Sequence, residues 1–537
     1  ILSASLSLAL ASGLLWGGVA PLGTGGVAAA YAADAEAEED IGRQLADEMP
    51  AVVADSSDQK KLNLITMKTG ASSGYGQESI SFVDSSGKQV DIQYEADKLS
   101  GITTEDVQEM MPSFYVTRSS YSNKDALGPV RDQAKWNLCW AFAATAVLEA
   151  NILTGNSSCS SVSMNKDQLD LSERHMGWFA NNTLSKLADD PTKNLDGARK
   201  TSYAGGNFYK AAAYLARGSG MTLEEGVPYG TRTAGMGTVA ETDRYDSVVT
   251  LHDLCTTSYN ISMSPETSID NVKRLLSEFG AAGCSYLSKD NCYSKKNDPG
   301  GVAYYQKSKG TNHAVCIVGY DDDYAVSNFT GSGGKPPKPG AWLVRNSWGS
   351  SWGNDGYFWL SYYDASINYI FSMRAADSVD YGDIYQYDAT GRNAALNANA
   401  AANVFQARRD DVLKSVGIYT NSATGGGKIQ VYTSDTAMVN PAAGTLRATY
   451  DLGPNSYPGY HVIDLDDLGS SQSVSLKKGQ YFSIVYTQGS GGKTMYCFEG
   501  RRGCKSSAGQ SYYFDGSGWK DSYKLAGNAC IKAIMTS

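Results

Sequence analysis

The chain has 537 residues, of which 42% are hydrophobic and 19% charged, a balance typical of globular proteins and not of disordered or fibrous ones. At about 150 residues per domain, this length predicts three or four folding units rather than a single core. The formal net charge of -10 leaves no basic surface for wrapping nucleic acid, so we expect no nucleic-acid partner.

The front of the chain resembles an export signal. Its first 33 residues carry no charge, and an apolar run over residues 6–20 is followed by Pro21, a glycine-rich stretch and small residues up to Ala32. This pattern predicts a signal peptide over residues 1–32, trimmed at its front because it starts at Ile1 without a basic stretch, and hence a secreted or cell-envelope protein. A membrane anchor is the alternative, but the apolar run is short and ends at Pro21.

Residues 33–111 are interpreted as a pro-segment. Between Asp34 and Glu48, seven acidic residues stand against Arg43 alone, which is typical of a solvated leader. Short alternating stretches follow at residues 80–83 and 90–92, separated by Ser and Gly turns. Because this segment has no catalytic motif of its own, a simple spacer is the alternative.

Two larger regions follow, and they differ in pattern. Residues 112–376 mix helical periodicity with apolar runs, whereas residues 377–537 show short alternating stretches separated by Gly, Asn and Asp. The regular spacing of the second region predicts an antiparallel β-sandwich or jelly roll. The stretches that predict strands there are residues 416–419, 429–432, 462–465 and 481–485.

Cys139 stands at the start of a predicted helix. Apolar residues recur at helical spacing from Trp140 to Leu148, and Gly155 ends the pattern. A thiol at a helix N-terminus lies at the positive end of the helix dipole, which stabilises the nucleophilic thiolate. An inert buried cysteine is the alternative.

A histidine and an amide lie at the ends of two apolar stretches. His313 opens the stretch at residues 313–320, and Asn346 closes the one at residues 341–345, shortly before Trp348. An amide oxygen that accepts the imidazole N–H would orient the ring, and an indole over that bond would exclude water. A structural core histidine is the alternative.

With these residues in place, the chain resembles the papain family of cysteine peptidases. The motifs occur in the order of the family: Gln133 six residues before Cys139, Leu-Ser-Glu at 171–173, Gly205-Gly206, Asn-His-Ala-Val at 312–315 and Asn-Ser-Trp-Gly at 346–349. The resemblance implies an α+β fold with a helical lobe and a β lobe over residues 112–376. The β-sandwich at 377–537 is similar to the lectin-like domain of bacterial secreted members, including a clostridial type that processes surface-layer protein.

The resemblance also implies roles. Cys139 would attack the scissile carbonyl, His313 would transfer the proton, Asn346 would orient His313, and Gln133 with the Cys139 N–H would stabilise the oxyanion. No metal or organic cofactor is needed. Since all four residues precede residue 377, the C-terminal domain is expected to be dispensable for hydrolysis.

Further residues are candidates for contact with substrate. Gly205 and Gly206 would bind the substrate backbone, Thr311 and Ala314 would form a side-chain pocket wall, and Trp348 would border the cleft. We therefore expect a monomeric cysteine endopeptidase that acts on a protein or peptide, with cell-wall glycan as a partner of the C-terminal domain. An amidase or acyl transferase with the same chemistry and a non-catalytic glycan-binding adhesin are the alternatives.

The chain departs from the family at several positions. Trp136 stands where the family has a structural cysteine, so one family disulfide cannot form. His313 and Asn346 follow Cys139 by 174 and 207 residues, beyond the roughly 130 to 150 of papain and cathepsins. A hydrophilic insertion at 321–340 contributes; its three aspartates lack calcium-loop spacing. Nine cysteines leave at least one unpaired, and the pairings of Cys284 with Cys292 and Cys497 with Cys504 stay open.

Overall fold

A computed structural model describes three short N-terminal strands and most of the chain from residue 119 onward. The strands β1 (Leu64–Met67), β2 (Ile80–Val83) and β3 (Gln89–Asp91) form a small antiparallel sheet. The predicted signal peptide and the rest of the predicted pro-segment lie outside the described residues. The remaining described ranges are 119–159, 164–181, 203–230, 235–378, 382–423, 426–468, 473–489, 491–500 and 506–536.

Three helices form one lobe: α1 (Cys139–Leu153), α2 (Glu173–Phe179) and α3 (Phe208–Tyr214). Helix α1 is buried on all sides, as its alanine-rich and apolar sequence predicts, and it ends before Gly155, which has a φ of 75°. The helices α2 and α3 are capped at their starts by the side chains of Ser172 and Asn207, which accept backbone N–H bonds.

A β lobe packs against α1. Its strands are β4 (Ser120–Ser122), β5 (Val249–Thr257), β6 (Ala282–Tyr286), β7 (Ala303–Tyr304), β8 (His313–Asp321), β9 (Ala341–Arg345), β10 (Tyr357–Ser361) and β11 (Asn368–Asp377). They lie in the order β5-β11-β6-β8-β9-β10-β7, and β4 pairs with β8. The amphipathic helix α4 (Pro265–Phe279) buries its apolar side against this lobe.

The C-terminal region is a two-sheet β structure. The strands are β12 (Ile384–Tyr385), β13 (Ala394–Ala398), β14 (Ala400–Gln406), β15 (Asp411–Thr420), β16 (Gly427–Ser434), β17 (Thr445–Leu452), β18 (Gly459–Asp464), β19 (Val474–Leu476), β20 (Tyr481–Gln488), β21 (Thr494–Phe498), β22 (Ser511–Phe514), β23 (Trp519–Asp521) and β24 (Ile531–Met535). One sheet has the order β17-β16-β20-β14-β22-β23, and the inner side chains of both sheets share one core. All four stretches predicted as strands are strands, although β18 ends one residue early, at Asp464.

The second C-terminal sheet continues into the β lobe. Strand β18 pairs antiparallel with β5, so that Tyr460 lies opposite Leu254 and His461 opposite Asp253. The hydrophobic core around α1 also contains C-terminal residues, among them Tyr419 and Tyr460. The two regions that differ in sequence pattern are therefore joined by a shared sheet and a shared core, which we call the seam.

Within the described residues, no helix is long and apolar enough to cross a membrane. The 321–340 insertion, which the sequence suggested to be a hydrophilic excursion, is anchored by two buried aromatic side chains, Tyr324 and Phe329. Asp322 of the insertion accepts from the ammonium of Lys273 at 2.7 Å and from the hydroxyl of Tyr362 at 2.7 Å. These contacts fix the insertion on the β lobe.

Candidate active site

Cys139 is the first residue of α1, and it is half-buried, while the helix behind it is buried. Removal from water raises the pKa of the thiol above its usual value. The backbone N–H groups of Ala314, Trp140 and Cys139 itself face the sulfur and act in the opposite direction. Because Ala314 directly follows His313, this contact places the start of β8 against the thiol.

His313 is buried at the first position of β8, and its Nε2 lies 2.8 Å from Oδ1 of Asn346. Since an amide oxygen only accepts hydrogen bonds, Nε2 carries the hydrogen and Nδ1 of the neutral ring keeps its lone pair. Burial lowers the pKa of His313 to about 4, against the opposing effect of the Asn346 bond. The ring is therefore neutral near pH 7 and able to accept a proton.

Trp348 covers this pair. Its ring stacks on His313 with centroids 4.8 Å apart and planes 19° apart. Trp352 packs edge-on against Trp348 at 4.8 Å. The aromatic layer keeps water from the His313–Asn346 bond and restricts rotation of the imidazole.

Gln133 is buried and connected to the segment that carries Asn346. Its backbone N–H donates to the carbonyl of Ser347 at 2.8 Å, and its Oε1 accepts from the Ser347 hydroxyl at 2.6 Å. Its Nε2 donates to the carbonyl of Trp136 at 2.8 Å. The amide orientation is thus fixed from both ends, and the second Nε2 hydrogen remains for another acceptor.

Ser347 was not identified as a functional residue in the sequence. Its own backbone N–H donates to Oδ1 of Asn346 at 2.8 Å, so one residue holds the amide oxygens of both Asn346 and Gln133. The available signal was its position between Asn346 and Trp348. A serine there has no distinguishing pattern, because its role depends on the approach of Gln133 from 214 residues away.

An ionic cluster centred on Arg131 lies next to the Gln133 segment; two of its three carboxylates are buried, and that of Asp170 is half-exposed. Arg131 lies 2.5 Å from Glu149 of α1, 2.8 Å from Glu173 of α2 and 2.5 Å from Asp170. Burial raises the pKa of Glu173 to about 8, against the stabilising charge of Arg131. A small cavity lies between this cluster and Asn346. The cluster gives the Leu-Ser-Glu motif a structural role, because it ties α1, α2 and the approach to Gln133 together.

Gly205 and Gly206 lie in the loop before α3, next to Trp140 of α1. The Trp140 indole N–H donates to the carbonyl of Ala204 at 3.3 Å. A Cβ on Gly206 would lie 2.7 Å from the Trp140 ring, a separation that real Cβ atoms do not show, so this position requires glycine. The structure therefore brings the glycine pair beside the residue that follows Cys139.

Thr311 and Ala314 flank His313, and both are half-buried. Ala314 contacts the thiol through its backbone N–H, whereas Thr311 belongs to the segment that Asn312 ties to Ser288 by hydrogen bonds of 2.7 and 3.0 Å. Ala314 is thus at the site itself, whereas no contact joins Thr311 to the thiol or the imidazole among the described contacts.

The described residues contain no group of three His, Cys, Asp or Glu side chains arranged to hold a metal ion. Cys284, Cys292 and Cys497 are free thiols, and Cys504 lies outside the described residues. Cys139 and Cys159 are the two described cysteines that are not fully buried. The pair Cys284–Cys292, left open by the sequence, is therefore not a disulfide in this structure.

Comparison with known proteins assigns both regions. Residues 112–376 match the model of the papain family cysteine protease, and residues 384–535 match that of a lectin like domain. A cysteine protease of Blomia tropicalis is 27% identical over 242 residues, which is 44% of this chain and 58% of that protein. Digestive cysteine proteinase 2 of Homarus americanus is 28% identical over 250 residues, 46% and 61% respectively. The chain thus spans less than two thirds of the length of these relatives.

A solved structure shares the fold of the protease region followed by the lectin-like region. The cysteine protease and lectin-like domains of Cwp84, a surface layer associated protein of Clostridium difficile, superpose with a TM-score of 0.63 at 24% identity. The match covers 79% of this chain and 90% of that chain. The likeness is one of fold, and it confirms the predicted α+β domain followed by a lectin-like β domain.

Proposed function

Residues 112–376 belong to the papain family of cysteine proteases, and from this premise we propose that the chain is a secreted cysteine endopeptidase. The observation that carries the proposal is the His313–Asn346 bond of 2.8 Å under Trp348, with the thiol of Cys139 against the start of the same strand. A structural histidine needs neither a thiol at the start of its strand nor the aromatic cover.

The first half of the reaction forms a thioester. A peptide carbonyl carbon is attacked by the Cys139 sulfur while the thiol proton moves to Nδ1 of His313. The negative oxygen accepts bonds from the Cys139 backbone N–H and the remaining Nε2 hydrogen of Gln133. His313 then gives its proton to the peptide nitrogen, the C–N bond breaks, and the amine product leaves.

The second half releases the acid. Water attacks the thioester carbonyl as His313 Nδ1 takes one of its protons, and collapse of the intermediate returns the proton to the sulfur. Asn346 keeps the ring oriented through both halves because its oxygen holds Nε2. Proton transfer by a positioned side chain of this kind typically raises the reaction rate about 100- to 10,000-fold.

The test measures cleavage of fluorogenic peptides by the chain and by its His313→Ala variant, with product masses recorded. We expect turnover by the unmodified protein only, with release of a free carboxylic acid. A product in which the acyl group is joined to an added amine, formed in preference to the acid, would favour acyl transfer. Equal turnover by the variant would contradict the proposal.

We further propose that the lectin-like domain binds cell-wall glycan through the outer side of its six-stranded sheet. There the small side chains of Ala400 and Ala402 are flanked by the half-buried rings of Tyr432, Phe514 and Trp519. Aromatic faces of this kind stack on sugar rings. Weaker sedimentation of Trp519→Ala with cell-wall fragments, with Tyr245→Ala of the protease domain as control, would support this; equal binding would contradict it.

We also propose that residues 1–32 direct export and that residues 33–111 act as a pro-segment, which agrees with a protease that must stay silent until delivery. The measurement is inhibition of the mature enzyme by a separately produced 33–111 segment over a concentration series. Saturable inhibition is expected. If the segment has no effect and the protein beginning at Ala33 is fully active, the segment is a spacer.

A further inference from the structure

Aromatic packing holds the segment that precedes the glycine pair. The chain lacks the structural cysteine at position 136, and Trp136 packs there against Tyr203 with ring centroids 5.8 Å apart. Trp178 of α2 also packs against Tyr203, with ring centroids 5.5 Å apart. Tyr203 has a φ of 60°, a left-handed conformation that a tyrosine adopts only when its surroundings impose it.

Lys210 makes a second connection from the other end of this segment. Its ammonium donates to the carbonyl of Gly205 and, at 3.1 Å, to the side-chain oxygen of Asn181. It also lies 5.1 Å from the centre of the Trp140 ring. The lysine thus joins the glycine pair, α1 and the end of α2 in one contact set.

The position of Lys210 in its helix is unfavourable by local rules. It lies in the first turn of α3, where acidic residues are favoured and a cation faces the positive end of the helix dipole. Such a departure from local preference is expected where tertiary contacts compensate for it. Here the compensating contact is the hydrogen bond from the Lys210 ammonium to the backbone carbonyl of Gly205.

Packing adds to the hydrogen bonds. A Cβ on Gly206 would meet both the Trp140 ring at 2.7 Å and the Lys210 side chain at 2.9 Å. Gly206 is therefore held between the lysine stem and the indole, with its backbone at the surface of the loop. The orientation of that backbone depends on the two side chains that enclose it.

We propose that Lys210 is a positioning residue for substrate binding: its ammonium fixes the Gly205 carbonyl, so that the backbone of Gly206 is presented in register with an extended peptide. The inference rests on the proposed peptidase function of the cleft. The ammonium of Lys210 contacts the Gly205 carbonyl, Asn181 and the Trp140 ring, so we expect its loss to act on substrate affinity and not on the chemical step. Losing a charge-assisted bond to the segment corresponds to about a tenfold effect.

The experiment compares Lys210→Met, which keeps the stem and removes the donors, with Lys210→Arg, which keeps the charge and the ability to donate. Lys135→Met is the matched control. Lys135 is exposed, and its ammonium lies 5.4 Å from the ring centre of Trp136, shortly before α1. This substitution removes the same charge as Lys210→Met. The three variants and the unmodified chain are assayed for kcat, KM, thermal unfolding and the rate of alkylation of Cys139 by iodoacetamide.

We expect Lys210→Met to raise KM about tenfold, with kcat and the alkylation rate within about twofold, and Lys210→Arg to recover most of the affinity. An unchanged KM in Lys210→Met, or the same rise in Lys135→Met, would overturn the inference. A fall in kcat at constant KM would overturn it as well. A chain without any peptide turnover before mutation contradicts the proposed function itself, which separates the two failures.

Discussion

Two histidine environments in this molecule differ in the charge of the partner. In the cleft, His313 bonds to the neutral amide of Asn346, and burial lowers its pKa to about 4. At the seam, His252 lies 2.9 Å from the carboxylate of Asp253, and its pKa is raised because that charge outweighs the effect of burial. A carboxylate partner therefore raises the pKa of an imidazole above its usual value in spite of burial, whereas an amide partner leaves burial to lower it.

The seam contains more charges than this pair. Asp253 also accepts from His461 at 3.0 Å, and Arg374 lies 3.4 Å from it, while Asp464 adds a further negative charge near His252. Burial alone would raise the pKa of Asp253, but the bonds from both histidines lower it well below its usual range. The Asp253–His461 contact spans the β5–β18 pair, so it connects the protease lobe with the lectin-like domain.

The largest predicted effect concerns the seam as a whole. Deleting residues 382–537 exposes the edge of β5 and removes Tyr419 and Tyr460 from the core around α1. We expect the remaining chain to be insoluble or to lose its cooperative thermal transition, contrary to the dispensable domain that the sequence suggested. A truncated protein with unaltered unfolding and full peptide cleavage would show that cleft and seam are independent.

The next prediction exchanges the hydrogen-bond partners of the two histidines, the amide of His313 and the carboxylate of His252. Asn346→Asp gives His313 a carboxylate and should raise its pKa by about 1 to 3, whereas Asp253→Asn should lower that of His252. NMR titration of the imidazole protons measures both. Because a pKa of about 5 to 7 leaves at least half of the imidazole neutral at pH 7, kcat/KM of Asn346→Asp should fall about twofold at most at pH 7, and its acidic limb should move to higher pH. Unmoved titrations would mean that burial, and not the partner, sets these pKa values.

A further effect is expected at Ser347. Ser347→Ala removes the hydroxyl that holds Gln133 Oε1, and we expect kcat to fall about tenfold, against about a hundredfold or more for Gln133→Ala. In the double variant the serine substitution should have no additional effect, because it acts only through Gln133. Fully multiplicative losses would assign Ser347 a role of its own.

The smallest effect is the pH dependence of the seam. A raised pKa for His252 means that its charged bond to Asp253 stabilises the fold below the ordinary histidine value and is lost as pH rises through the folded-state pKa. We expect the unfolding free energy to fall on that rise, and to fall less in His252→Gln. Identical pH profiles for the two proteins, recorded by chemical denaturation, would contradict this.

The elements around the site were predictable because their signals are local. The helix at Cys139 follows from apolar spacing, and the strands that hold His313 and Asn346 follow from short apolar runs. The seam was not predictable, since the pairing of β18 with β5 joins residues about two hundred positions apart and leaves no periodic trace. The roles of Ser347 and Lys210 were not predictable from the sequence either, because they depend on groups that only the fold brings together.

The nucleophile is the central claim, and residue-level mass spectrometry after reaction with an epoxide thiol inhibitor tests it most directly. Cys159 serves as an internal control, because it is the other described cysteine that is not fully buried. We predict that label appears on Cys139 and not on Cys159, and that His313→Ala slows the labelling about a hundredfold. Equal labelling of the two thiols, or a rate that does not depend on His313, would contradict the account.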